Sequence, residues 1–197
     1  MTNLKGIRHY KEFTSSKEEH GYAEKDVSSL NIIAPFSIYI RARIYKNFPS
    51  TKPEVWISFG FQYGGASDTD WNAGGMRWTD TATSYLMRWL NLNTGSWTDS
   101  NLEGIDSTTA LTLNEEVWVW FKLEILTDRT MYMRYKNDAT TTKPTSGWTT
   151  SFTTATVINA TPSQEVKKIR TSLIMLTSTS ATTRVILEVD EIIIEQD

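Results

Sequence analysis

Alternation with a period of two runs through the longest apolar segments of this chain, and it decides the fold class. In FSIYIRARIY, residues 36–45, Phe36, Ile38, Ile40, Ala42 and Ile44 fall on one side, with Tyr39, Arg41, Arg43 and Tyr45 on the other. Successive side chains of a β-strand point to opposite faces, so this segment reads as a strand with one buried face. EVWISFGFQY (54–63) repeats the pattern, with Val55, Ile57, Phe59, Phe61 and Tyr63 inward and Trp56, Ser58, Gly60 and Gln62 outward. VWVWFKLEIL (117–126) sets Val117, Val119, Phe121, Leu123 and Ile125 against Trp118, Trp120, Lys122 and Glu124. Further strands are predicted over 8–14, 84–92, 130–136, a Thr-rich run at 149–158, 168–177 and 184–195. That makes about ten strands, with turn signals between them. Only 15–27 and 162–168 carry a helical flavour, and each is expected to form at most one turn of helix.

The last strand contains a slip in phase. Val185, Leu187 and Val189 are odd-numbered, whereas Ile192 and Ile194 are even, so the buried side changes around Asp190 and Glu191. A one-residue slip turns every later side chain over, and a β-bulge at this point restores the register.

With 197 residues the chain is expected to form one domain, 1–197, with 1–7 as an N-terminal arm. A net charge of -3 leaves no broad positive field for nucleic acid or anionic membranes. The absence of cysteine excludes disulfides, thiolate metal sites and thiol nucleophiles. The N-terminal sequence lacks the apolar run of a signal peptide, and no segment approaches the roughly 20 apolar residues of a membrane span. A virion protein or a domain excised from a longer secreted chain fits these observations. Threonine is frequent after residue 139, where its branched Cβ suits extended backbone.

Many long strands in one domain point to an all-β fold, a two-sheet antiparallel jelly-roll sandwich. NEEVWVWFKLEILTDRTMYMRYKND (114–138), NIIAPFSIYIRARIY (31–45) and RVILEVDEIII (184–194) resemble segments of the concanavalin A-like lectin and glucanase domains, including the laminin-G-like ones. The resemblance implies that sandwich; function must come from residues. Glucanases of the family carry E-x-D-x-x-E on one strand, and Glu188, Asp190 and Glu191 depart from it because the second glutamate comes too early. Related lyases use a Gln-x-His strand, and neither His9 nor His20 has a glutamine two residues before it. No nucleophile elbow is recognisable, so the chain is expected not to be an enzyme.

The stretch GGASDTDWNAGG (64–75) holds the candidate site residues. Asp68, Asp70 and Asn72 match the first three ligand positions of a calcium loop, making calcium the candidate cofactor. Ala73 and Thr79 stand where such a loop requires glycine and glutamate, so a plain polar connection remains open. Trp71 beside Asp70 and Asn72 also offers what a sugar needs, an aromatic face for its C–H surface and oxygens for its hydroxyls. NTGSWTDSN (93–101) offers a second such set, Trp97, Asp99 and Asn101, and Trp148 a third. Separately, the outward side of the strands carries Tyr39, Arg41, Arg43, Trp56, Trp118, Trp120, Tyr132 and Arg134, too aromatic for an ordinary wet face. A ligand groove, a loop of the same chain or another subunit would cover it, so a homo-oligomer is among the expectations. The leading expectation is a non-catalytic lectin-like sandwich for attachment or recognition, with carbohydrate as partner. The alternatives are an assembly protein such as a virion decoration, fibre or shell component, and a divergent glycoside hydrolase or lyase.

Overall fold

In the computed structural model the inward sets of the long strands meet across two sheets. The structure describes residues 2–13, 19–47, 55–63, 71–78, 85–92, 103–111, 117–128, 130–137, 140–156, 165–175 and 183–196. Its strands are β1 (Thr2–Phe13), β2 (Glu19–Asp26), β3 (Phe36–Asn47), β4 (Val55–Tyr63), β5 (Trp71–Trp78) and β6 (Tyr85–Leu92), then β7 (Glu103–Leu111), β8 (Val119–Ile125), β9 (Thr130–Asn137), β10 (Thr149–Thr156), β11 (Val166–Met175) and β12 (Thr183–Gln196). Sheet A has the order β1-β12-β3-β8-β9-β10, and sheet B the order β2-β11-β4-β5-β6-β7. All neighbouring strands are antiparallel. This is the expected two-sheet jelly-roll sandwich.

The core follows the alternation. Phe36, Ile38, Ile40, Ala42 and Ile44 of β3 are all buried, as are Phe121, Leu123 and Ile125 of β8 and Ile57, Phe59, Phe61 and Tyr63 of β4. Two aromatic contacts join the sheets: Phe36 to Phe61 at 5.4 Å in a T-shaped geometry, and Phe59 to Phe121 at 5.1 Å. The bulge in β12 is present. Its register with β3 shifts between Val189 and Glu191. Leu187, Val189, Ile192 and Ile194 consequently all enter the core despite their change of parity.

Several expectations are corrected. Residues 15–27 do not give a helical turn at Glu19–Asp26, which is β2, hydrogen-bonded along β11. The short 3-10 turn comes later, at Ser28–Leu30, and ends on Asn31 at φ 49, a left-handed conformation that asparagine tolerates. At the N-terminus β1 begins at Thr2 and runs along the edge of β12, which offers backbone partners from Ile194 to Thr183. Val117, expected inward, precedes β8 and is exposed. Ser58 and Gln62, expected outward, are buried, so β4 is covered on both faces.

Truncating a ring that touches both sheets removes transfer energy and leaves a cavity. Phe59→Ala is expected to lower the unfolding free energy by about 3–5 kcal/mol, read as a lower urea midpoint with an unchanged slope.

Candidate functional site

The ladder of sheet B brings two candidate segments to the same end of the fold. Trp71 opens β5 opposite Gln62 of β4 and Leu92 of β6, and Asn91 of β6 pairs with Glu103 of β7. The chain therefore leaves β4 after Tyr63, returns at Trp71, leaves β6 after Leu92 and returns at Glu103, with all four points at one end of the sheet. The connections 64–70 and 93–102 both spring from there. Asp68 and Asp70 lie in the first and Trp97, Asp99 and Asn101 in the second, outside the described residues.

Trp71 and Asn72 differ from the sequence expectation. They were placed in a loop running to Gly75, but both are rungs of β5, with Asn72 opposite Phe61 and Asn91. Backbone pairing on both sides overrides the turn character of the glycines at 74 and 75, and any loop between β4 and β5 ends at residue 70. Asp68 and Asp70 thus lead into a strand whose first residue is Trp71. Among the described residues no group of three His, Cys, Asp or Glu could hold a metal ion.

The second surface is the outer face of sheet A. Trp120 is 0% exposed although it points away from the main core, and Tyr39, Ile193 and Arg41 are buried with it. Tyr39, Trp120 and Ile193 form a separate small apolar cluster against which Trp148 packs. The cover is the chain between β9 and β10. Its Thr140 carbonyl accepts hydrogen bonds from Arg41 Nε at 3.1 Å and Trp120 Nε1 at 3.4 Å. Farther on, Lys143 pairs with Glu195 at 2.8 Å and lies 4.2 Å over the Tyr39 ring. Lys136 Nζ donates to the Ser146 carbonyl, next to Gly147 at φ 73. Trp148 then sits 5.9 Å from Tyr39, so the third tryptophan is folded over the sheet. A strap of the same chain, one of the three covers considered from the sequence, occupies this part of the face. Burial pushes the Tyr39 phenol up, and Glu195 adds to that against the opposing pull of Lys143.

Two acidic residues of β12 are held by arginines. Glu188 accepts from Arg43 Nε at 2.5 Å, and Asp190 Oδ2 from Arg41 Nη1 at 2.6 Å. The bulge makes this possible, since it keeps Asp190 on the outer side while Val189 and Ile192 stay inside. Trp118 lies beside them, with the Arg41 and Arg43 guanidiniums 4.5 Å and 4.6 Å from its ring centroid. Sequence reasoning found Trp118 and both arginines as outward residues, but no alternation rule could show which would be covered.

Comparison of the sequence with known protein families finds no match, and comparison with curated proteins finds none. Among solved structures, the fold is similar to the CBM2 module of the evolved Dit of Lactobacillus casei BL23 phage J-1. That likeness has a TM-score of 0.51 at 11% identity and covers 98% of this chain and 81% of that one. It is also similar to the carbohydrate recognition domain of Emp47p, with a TM-score of 0.55 at 9% identity over 99% of this chain and 87% of that one. At such identities the likeness shows the fold alone, a two-sheet antiparallel β-sandwich. No helix among the described residues is long and apolar enough to cross a membrane.

The uncovered end of the sheet A face supplies a pH test. Burial raises the Glu124 carboxyl, but hydrogen bonds and charge from Lys122 and Arg134 outweigh it and hold the group below its ordinary value. A depressed carboxylate adds stability above its unfolded value, and that stability is lost as pH falls through the folded value. Glu124→Gln is therefore expected to be less stable than the parent near neutral pH. The difference should shrink once pH drops below the ordinary glutamate range of about 4.3, as followed by thermal melting across pH.

Proposed function

We propose that the protein is a non-catalytic, lectin-like sandwich of the concanavalin A-like type that binds carbohydrate at the end of sheet B from which residues 64–70 and 93–102 spring. The observation that carries this reading is the register Gln62, Trp71, Leu92 and Asn91, Glu103. It puts the anchor points of the two segments side by side, with Trp71 as the first residue of β5 between them. Trp71 begins a paired strand, so its backbone is held before any ligand arrives, which reduces the ordering cost of binding. Asp70, Asn72, Trp97, Asp99 and Asn101 supply the polar and aromatic groups nearby in sequence.

The likeness to a carbohydrate recognition domain and to a phage CBM2 module supports a sugar as partner. The covering of Tyr39 and Trp120 by the strap removes part of the motive for a subunit contact on sheet A. A non-catalytic reading is supported by Glu188 and Asp190, the nearest approach to a glucanase motif, because each is engaged by an arginine. The phage likeness also keeps a virion component as a second reading, in which sugar binding serves attachment.

Glycan-array screening of the full chain is expected to return a saccharide ligand, and Trp71→Ala together with Trp97→Ala is expected to weaken it at least about tenfold. Retention of full affinity by that double variant would move the site elsewhere. Calcium belongs to the same reading. Asp68 and Asp70 have the alternate spacing of a hard-cation loop, and calcium bound only by the folded chain raises its melting temperature. The parent is expected to melt higher with calcium than with chelator, and Asp68→Ala with Asp70→Ala to abolish the difference.

A further inference from the structure

Beyond the strap's contacts with Tyr39, Arg41 and Trp120 lies the corner of the sheet A face where β3, β12 and the start of β8 meet. Tyr45 and Trp118 flank Arg43 there, with its guanidinium 4.8 Å from the Tyr45 ring and 4.6 Å from the Trp118 ring. Both aromatics are half-buried, neighbouring Val117 is 39% exposed, and the Asp190 side chain is 49% exposed. Trp118 Nε1 and the Tyr45 hydroxyl make no hydrogen bond to the described residues. Asp190 gives Oδ2 to Arg41 and has a further oxygen to offer water or a ligand.

Two ion pairs form at this corner, Arg41 with Asp190 and Arg43 with Glu188. A phosphate or sulfate would have to displace a carboxylate from one of these arginines, so an anion is a poor occupant. A second copy of the chain is a poor one too. Val117 is the exposed large apolar side chain among the described residues, whereas a stable contact needs roughly 800 Å² per partner with an apolar centre. What remains is a small, uncharged ligand with both apolar C–H surface and hydroxyls. Two aromatic side chains with an indole N–H and a phenol O–H, and a carboxylate oriented by Arg41, match that chemistry.

We propose that Trp118, Tyr45 and Asp190 form a second saccharide site, taking one neutral hexose unit and separate from the end of sheet B. It rests on the carbohydrate reading of the protein but not on the residues of that first site. The bulge in β12 borders it: Asp190 follows Glu188 by two residues and so shares its outer side, and the register shift adds Glu191 to that side.

The test is nuclear magnetic resonance of the full chain with nitrogen-15-labelled tryptophan, titrated with methyl glycosides of glucose, galactose, mannose and N-acetylglucosamine. Trp118→Phe assigns the Trp118 indole signal while keeping a ring on the arginines. With at least one glycoside that signal is expected to shift saturably. Asp190→Ala should weaken the response at least tenfold, and Trp71→Ala with Trp97→Ala should leave it unchanged. A Trp118 signal that no glycoside moves overturns the second site, whatever happens at Trp71 and Trp97. Responses at Trp71 or Trp97 alone would leave the first reading standing, and a response at Trp118 alone would leave only the second site. A signal that shifts with protein concentration in the absence of sugar would assign the corner to a second copy and overturn the proposal.

Discussion

Contact between the aromatic rings of the two sheets is the constraint on which the remaining structure depends. Phe36 meets Phe61 and Phe59 meets Phe121, and these pairs fix which face of β3, β4 and β8 must look inward. Interiors pack at crystal-like density, so the neighbouring strands have to place their own apolar residues at the same level. β12 satisfies this only because its bulge brings Val189 and Ile192 to the same side. The same irregularity leaves Asp190 and Glu191 together on the outer face, where Asp190 meets Arg41. One inserted residue thus serves the core on one face and the ion pairs on the other.

The outer face of sheet A poses the opposite problem, aromatic surface where water would normally lie. The chain solves it locally with a strap built mostly of threonine, serine and lysine, whose exposed side chains keep the outside of the cover polar. Beneath it, Arg41 is buried with its charge answered by Asp190 and its Nε by a main-chain carbonyl. A buried guanidinium is tolerated only with such partners. The cover is partial, and the residues beyond its edges, Trp118 at one end and Tyr132 at the other, keep contact with solvent.

Strands β3, β4, β8 and β12 were legible in the sequence because each has one face in the main core, which imposes strict alternation. The bulge was legible for the same reason, as a break in that alternation. β2, β5 and β7 were not. β2 and β7 are the edges of sheet B, where the demand for apolar side chains is weakest, and β5 is held between β4 and β6 by backbone pairing despite Asn72, Gly74 and Gly75. Backbone hydrogen bonds carry no residue signature, so side-chain periodicity cannot reveal a strand that depends on them. The candidate site shows the same division. The residue types at 68–72 and 97–101 could be read directly, whereas their common place at one end of sheet B depends on pairings distant in sequence.

The strap's attachment has a consequence for how the surface can change. Its inner end is held through the carbonyl oxygen of Thr140, which receives both the Arg41 and the Trp120 donors. A main-chain acceptor is present whatever side chain stands at that position, so this anchor tolerates substitution at the residue that forms it. Specific side chains matter farther along, at Lys143, Trp148 and Gly147, where the positive φ favours glycine. The Thr140 hydroxyl braces the strap by donating to the Thr142 carbonyl at 3.2 Å, whereas the exposed side chains of Thr141 and Thr142 stand on the outside of the cover. This stretch of the surface can drift in composition, and so in what it presents to its surroundings, while the tryptophan beneath it stays dry.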